Sequence, residues 1–184
     1  MEIISSEVVA RLWSTVSKVT LRYTRADGRT DILVREVVDH GAAAAVLAYD
    51  PQRRTVLLVK QMRIAAHMAG YLEPMIEVCA GLLDGDDPAA CALREAEEEL
   101  GFRLHGLRHV CDAFASPGSL TERVSLFIGS YGPADNIYAG GGVASEGEDI
   151  EVLEMSLASA YRMVTSGHIV DAKTIILLQH AMLS

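Results

Sequence analysis

The chain has 184 residues, half of them apolar, and a formal net charge of -9. It is long enough to bury one sizeable core, and too acidic for general affinity to nucleic acid or an anionic membrane, because long-range repulsion would oppose both. Any phosphate-bearing ligand must therefore be small and locally neutralised. The opening MEIISSEVVARLW lacks the basic flank and continuous apolar centre of a secretion signal, and no run of about 18 apolar residues occurs, so a cytoplasmic setting is expected. Cys79, Cys91 and Cys111 form no CxxC pair and fit buried thiols better than disulfides or a zinc site.

In chain order, STVSKVTLRYT and TDILVREVV flank RADGR, whose Asp27-Gly28 pair signals a hairpin of two antiparallel strands. AAAAVLAYD and TVLLVK, separated by the turn residues PQRR, predict a second strand pair. HMAGYLEPMIEVCAGLLDGDDP reads as loop, short strand, loop. One helix is predicted over 88–100: Asp86 or Asp87 caps it, Pro88 suits its first turn, and Gly101 ends it in the left-handed conformation. RHVCDAFASPG and RVSLFIGSYG read as strands. NIYAGGGVASEGEDIEVLEM is a glycine-rich acidic loop leading into a further strand, and LASAYRMVTSG and DAKTIILLQHAML carry helical periodicity. The expected architecture is α+β, with a mixed sheet between helices preceded by a small β-hairpin unit.

The helix over 88–100 carries an unusual load. On a 3.6-residue turn, Glu95, Glu98 and Glu99 share an arc of about 100°, with Ala89, Ala92, Leu93, Ala96 and Leu100 on the adjacent arc and Glu97 facing water. Like charges three and four residues apart repel, and carboxylates near a helix C-terminus oppose its dipole, so the arrangement costs stability. Arg94 lies four residues before Glu98 and is placed to pair with it. Hard oxygen donors grouped on a rigid helix suit Mg²⁺ or Mn²⁺.

GLLDGDDPAACALREAEEELGF resembles the Nudix box, Gx5Ex7REUxEExGU with U apolar, matching it at Arg94, Glu95, Ala96, Glu98, Glu99, Gly101 and Phe102. The first half is one residue short: counting back from Arg94, Ala80 stands where the box has glycine and Asp86 where it has glutamate, whereas counting on from Gly81 puts Asp87 at the glutamate position. Beyond the box, RADGRTDILVREVVDHG, QMRIA, SPGSLTE and DAKTIILL are similar to the bacterial GDP-mannose hydrolases, a Nudix subfamily close to the ADP-ribose pyrophosphatases.

The resemblance implies an α/β/α sandwich with a Nudix domain over 39–184 and an N-terminal strand unit over 1–38. It implies metal-dependent cleavage of GDP-mannose to GMP and mannose 1-phosphate, with ADP-ribose or another ADP-sugar as the alternative substrate and a non-catalytic nucleotide-binding regulator as the rival class. By the same resemblance Glu95, Glu99 and the Ala80 carbonyl bind the ion, and Glu98 is a further ligand or an orienting group. Glu148 is ligand or general base, its neighbours Glu146 and Asp149 fit less well, and Glu122 is a second candidate for base or substrate contact. Arg63 and Arg35 are placed on the diphosphate, where guanidinium grips phosphate oxygens two at a time. Glu36, Lys173, Ala80, Gly81 and Leu82 align with nucleotide or sugar positions, and Trp13 with a base-stacking one. Val34 stands where the subfamily often has another cation. The family further implies a homodimer with exchanged N-terminal strands, so that Trp13, Arg35 and Glu36 serve the partner's site. The six histidines lack metal-ligand spacing and read as structural or surface residues, and the methionines as core filling.

Overall fold

Alternating side chains over the first forty residues produce not two strands but three. The computed structural model describes residues 1–143, 145 and 147–184, and the chain divides into two units. The first comprises 1–42 and 114–123. Its strands β1 (Glu2–Arg11), β2 (Thr15–Thr24) and β3 (Thr30–Asp39) form an antiparallel sheet in the order β1-β2-β3. The Asp27-Gly28 turn closes β2 on β3 as expected, with Gly28 at a φ of 85° that a side chain would resist. The sequence reading missed β1 because every residue in it is exposed, so no buried face imposes a period. The 114–123 segment lies along β3, with the Val38 N–H donating to the Ser119 carbonyl at 2.8 Å and the Thr121 N–H to the Val38 carbonyl at 3.1 Å.

The second unit, 43–113 with 124–184, holds the core. Its strands are β4 (Ala43–Asp50), β5 (Thr55–Gln61), β6 (Met75–Glu77), β7 (Cys79–Leu82), β8 (His105–Phe114), β9 (Arg123–Ser130) and β10 (Glu151–Ser156). The sheet runs β10-β5-β4-β9-β8, mixed because β4 and β9 are parallel while β5 pairs antiparallel with β4 and β10. Period-two alternation divides the core. Ala43, Ala45, Leu47, Val56 and Leu58 pack on one face with Leu157, Ala160, Leu177 and Leu178, whereas Ala44, Val46, Ala48, Leu57 and Val59 pack on the other with Cys91, Ala92, Ala96 and Leu100. Helices α3 (Leu157–Thr165) and α4 (Ala172–Leu183) cover the first face and α2 (Pro88–Glu95) the second, giving an α/β/α sandwich.

One departure from a plain hairpin positions the site. Only Ala48 to Asp50 of β4 pair with β5; upstream, Ala43 to Val46 pair instead with β7, and Val59 to Gln61 of β5 pair with β6. The two arms thus splay, and the single short strand expected here becomes two, β6 and β7, seated between them. A five-residue helix α1 (Ile64–Met68), also unanticipated, follows β5.

The helix expected over 88–100 is not uniform: α2 ends at Glu95 and Ala96–Leu100 continues as a wider π turn. Asp87, not Asp86, caps it, accepting from the Ala89 and Ala90 N–H groups at 2.9 and 3.3 Å. Leu93, expected on the packing arc, is exposed. Cys79 and Cys91 are buried and Cys111 partly so. Met155 and Met163 pack on the core, but Met62 and Met68 are exposed, so core filling does not describe all the methionines. Among the described residues no helix is long and apolar enough to cross a membrane.

Away from the site, Glu154 accepts from the Tyr131 hydroxyl at 2.8 Å and lies 2.7 Å from Arg53 Nη2. Burial opposes its charge, but these two partners outweigh it and hold the carboxyl below its ordinary 4.5. A carboxylate held lower in the folded than in the unfolded chain adds stability that is whole above about pH 4.5 and lost as pH falls through the depressed value. Arg53→Ala should therefore flatten the acid limb of the stability curve, read by urea melts between about pH 3 and 6.

Candidate active site

Helix α2 and its π turn deliver two carboxylates into protein rather than into water: Glu95 is 8% exposed and Glu99 2%. The β7 backbone meets them. The Ala80 N–H donates to Glu99 Oε2 at 3.1 Å, and a Cβ on Gly81 would lie 1.8 Å from Glu95 Oε1, so only glycine lets that strand approach the carboxylate so closely. Burial pushes the Glu99 carboxyl up to about 8; the Ala80 N–H opposes the shift, while Glu95 and Glu148 add to it. Burial likewise raises Glu95, with Arg94 opposing and Glu98 and Glu148 adding. The Cys79 thiol beside them is held well above its usual range, by burial first and then by Glu99 and Glu95, and stays protonated.

Arg94 organises the outer side of the helix. Its Nη1 lies 2.9 Å from both Glu95 Oε1 and Glu98 Oε2, and its Nε is 3.6 Å from Asp86. Asp86, one residue before the cap, thus braces the arginine. Burial disfavours the Arg94 charge, but Glu95 and Glu98 outweigh it and strengthen its protonation. Glu97 is half-exposed and faces Arg103 at 3.5 Å.

The glycine-rich loop docks on the end of this helix through a set of backbone bonds, with the Asn136 side-chain amide also donating to the Gly101 carbonyl at 3.5 Å. Gly141 and Gly142 N–H groups donate to the Glu99 and Glu98 carbonyls at 2.9 and 3.1 Å, and the Ile137 N–H donates to the Gly101 carbonyl at 2.8 Å. These bonds satisfy carbonyls that a helix end leaves without partners. Gly101, at φ 75°, ends the turn as expected, and a Cβ there would lie 2.2 Å from the Tyr138 carbonyl oxygen. The docking brings Glu148 close enough to raise both buried carboxyls, although its Oε2 accepts from its own loop, from the Val143 N–H at 2.7 Å. Among the described residues no three Asp, Glu, His or Cys side chains converge as a ready ion cage. Glu146 lies outside the described residues.

Sequence reasoning missed one further buried carboxylate. Glu77, on β6 and 3% exposed, accepts from Arg63 Nε at 2.8 Å and from Lys173 Nζ at 3.2 Å. Two of the three expected substrate cations, Arg63 and Lys173, are thus brought together on one buried carboxylate. Arg63 also acts on Glu99, whose carboxyl it lowers.

The remaining expected residues lie in the first unit. Trp13 is 76% exposed and stacks on His40 with ring centroids 5.1 Å apart, and His40 Nε2 lies 3.9 Å from Glu122 Oε2. Arg35 and Glu36 are exposed on β3, opposite Val19 and Lys18, and Arg35 donates to the Val34 carbonyl at 2.8 Å.

Paired buried carboxylates presented by a helix to a splayed sheet, with two cations gathered on a third buried carboxylate, define an α/β/α protein with an acidic, hard-oxygen site suited to phosphate chemistry. The NUDIX domain model matches residues 39–128. The GDP-mannose pyrophosphatase of Cronobacter sakazakii is 42% identical over 184 residues, covering 100% of this chain and 95% of that one. That of Klebsiella pneumoniae is 42% identical over 181 residues, covering 98% and 90%, and one from Escherichia coli O1:K1 is 38% identical over 183, covering 99% and 95%. The solved structure of an ADP compounds hydrolase superposes with a TM-score of 0.73, covering 98% of this chain and 92% of that one; at 18% identity the likeness is one of fold. The chain belongs to the Nudix hydrolase family.

Enzymes of this family use divalent metal ions, and the donor set fits such an ion. Glu95 and Glu99 are hard anionic oxygens set against the middle of β7, and crowding them with Glu148 is unfavourable without a cation to offset the repulsion. Gly81→Ala tests the geometry. The intruding methyl meets a movable carboxylate rather than backbone, so the fold should survive while Glu95 is displaced. The expected result is a melting temperature within a few degrees of wild type and a loss of about 10- to 100-fold in kcat/KM.

Proposed function

We propose that the chain hydrolyses the pyrophosphate bond of a nucleoside diphosphate sugar, GDP-mannose, to GMP and mannose 1-phosphate. The observation that carries this reading is identity of 42% and 38%, over nearly the whole chain, to the GDP-mannose pyrophosphatases named above. The oxygen of water attacks one phosphorus, the bridging P–O bond breaks, and the leaving phosphate keeps the bridging oxygen, so both products are phosphate monoesters. A Mg²⁺ ion, with Mn²⁺ as substitute, held by Glu95, Glu99, the Ala80 carbonyl and Glu148, supplies neutralisation of the diphosphate charge.

The chain's own groups do the rest. Arg63 binds phosphate oxygens and Lys173 the nucleotide or sugar; Glu98, held by Arg94, orients the helix face. Glu148 accepts the proton of the attacking water, with Glu122 as the other candidate base or substrate contact. The 80–82 backbone (Ala80, Gly81 and Leu82) contacts the nucleotide or sugar, and a second copy of the chain supplies Arg35 to the diphosphate, Glu36 to the nucleotide or sugar, and Trp13, which stacks on the base. Supporting the Trp13 assignment is an exposed indole that already stacks on an imidazole.

The N-terminal strand unit over 1–38 serves a cytoplasmic homodimer with exchanged strands, the Nudix domain occupying 39–184. In support, β1 leaves the apolar side chains of Ile3, Ile4, Val8 and Val9 exposed, as strands that associate do. Fully active monomers on dilution would rule the exchange out.

The deciding experiment assays GDP-mannose, ADP-ribose and ADP-glucose for phosphate monoester release, with and without Mg²⁺. Metal-dependent turnover should favour GDP-mannose by at least about 10-fold in kcat/KM. Preference for ADP-ribose would replace the substrate, and tight binding without turnover would make the chain a regulator.

A further inference from the structure

We infer that Glu77 is the positioning residue that aims Arg63 at the diphosphate and Lys173 at the nucleotide or sugar, an inference that rests on the substrate reading above. An ionised carboxylate buried to this degree is strongly unfavourable unless both its oxygens are paired. Both are. Oε2 accepts from Nε of Arg63 and lies 2.8 Å from Nη2 as well, and Oε1 accepts from Nζ of Lys173 at 3.2 Å. The partners come from 14 residues before and 96 residues after Glu77, so only the fold assembles them.

The cluster is tied into the scaffold on its far side. Lys173 Nζ also donates to Asp171 Oδ1 at 2.9 Å, and Asp171 caps α4 by accepting from the Thr174 N–H at 3.0 Å. Thr174 Oγ1 in turn accepts from the Val78 N–H at 2.8 Å, the residue between Glu77 and the Cys79–Leu82 strand that meets Glu95 and Glu99. One run of bonds therefore joins both cations, the start of α4 and the strand at the carboxylates.

Arg63 keeps 42% of its side chain exposed, and its Nη1 has no bonded partner among the described residues. Glu77 thus occupies the inner edge of the guanidinium and leaves the outer edge for phosphate. An unrestrained arginine or lysine loses rotamer freedom on gripping a ligand; held by Glu77, each is already ordered before substrate arrives. Glu77 itself does not touch substrate and acts through the two cations.

The test is Glu77→Gln, which keeps the size and removes the charge. KM for GDP-mannose should rise about 10-fold with kcat within about 3-fold, because the cations hold substrate in ground and transition states alike. Inhibition by inorganic pyrophosphate should weaken by about the same factor. In an Arg63→Ala background the same change should raise KM by less than about 3-fold, since most of its action is already gone. An unchanged KM in folded Glu77→Gln overturns the inference, as does full additivity with Arg63→Ala, which would mark a general structural effect. If Glu77→Gln fails to fold, Glu77→Asp takes its place: the shorter carboxylate draws Arg63 back, and an unchanged KM and unchanged pyrophosphate inhibition would be equally fatal. Wild type in the same assay separates the two levels. Active wild type with an unaltered variant overturns this inference alone, whereas wild type inactive on every sugar nucleotide overturns the substrate reading and this inference with it.

Discussion

Glu99→Gln should abolish most turnover and at the same time yield a protein that is harder to melt. Glu99 is 2% exposed, accepts a single backbone N–H from Ala80, and shares its surroundings with Glu95 and Glu148. Whether it folds by keeping its charge or by taking up a proton, burial carries a cost that the unfolded chain does not bear. Glutamine escapes that cost, and its amide oxygen still accepts from Ala80. The gain in ion-free buffer should be about 1–3 kcal/mol, and at about 2–4 °C per kcal/mol for a chain of this length the rise is visible in a simple melt. The loss in kcat/KM should be about 10²- to 10⁴-fold, the consequence of removing several kcal/mol of charge stabilisation. A residue conserving stability would behave the other way, so a destabilised variant that still turns over would remove Glu99 from the site.

Gly140→Ala should have the largest effect on folding among the loop glycines. Its φ is 71°, and an added Cβ would sit 2.5 Å from the Glu99 carbonyl oxygen and 2.6 Å from the Leu100 carbonyl carbon. Both are backbone atoms of the π turn, so neither swings aside as a side-chain tip would. The left-handed conformation accounts for about 1–2 kcal/mol and the forced separation for about 1–3 kcal/mol more. Moving the loop also breaks the Gly141 and Gly142 bonds to the helix end and carries Glu148 away from the buried pair. Activity should fall by at least about 10-fold even where the variant is folded. Gly167→Ala is the matched control: its φ is 77° but nothing lies within 4 Å of its Cβ, so it should show the backbone cost alone and no loss of turnover.

The helix with its carboxylates was legible because its signals are local. Capping, Pro88 in the first turn, Gly101 at the end and the spacing of Glu95, Glu98 and Glu99 all operate within one or two turns of chain. The β4, β5 and β9 strands were legible for a similar reason, since a buried two-sided strand forces a continuous apolar run. β1 was not, because exposure on all sides leaves composition free. The π turn could not be read either. A wheel of constant pitch contains no such turn, and here its end is closed by a loop docking at the Glu98 and Glu99 carbonyls from about forty residues on.

By itself the chain's order of residues determined that an acidic, glycine-stopped helix would exist, that Arg94 would pair with Glu98, and that strands would alternate their cores to either side. Each follows from backbone geometry and neighbours a few positions apart. Only the tertiary structure decided that Asp87 caps while Asp86 braces Arg94, that the 140–142 backbone seats on the helix end, and that Glu77 gathers Arg63 and Lys173. Those partners are far apart in sequence or chemically equivalent to their neighbours, and their selection depends on which groups the splayed β4 and β5 arms bring within bonding distance as water is excluded.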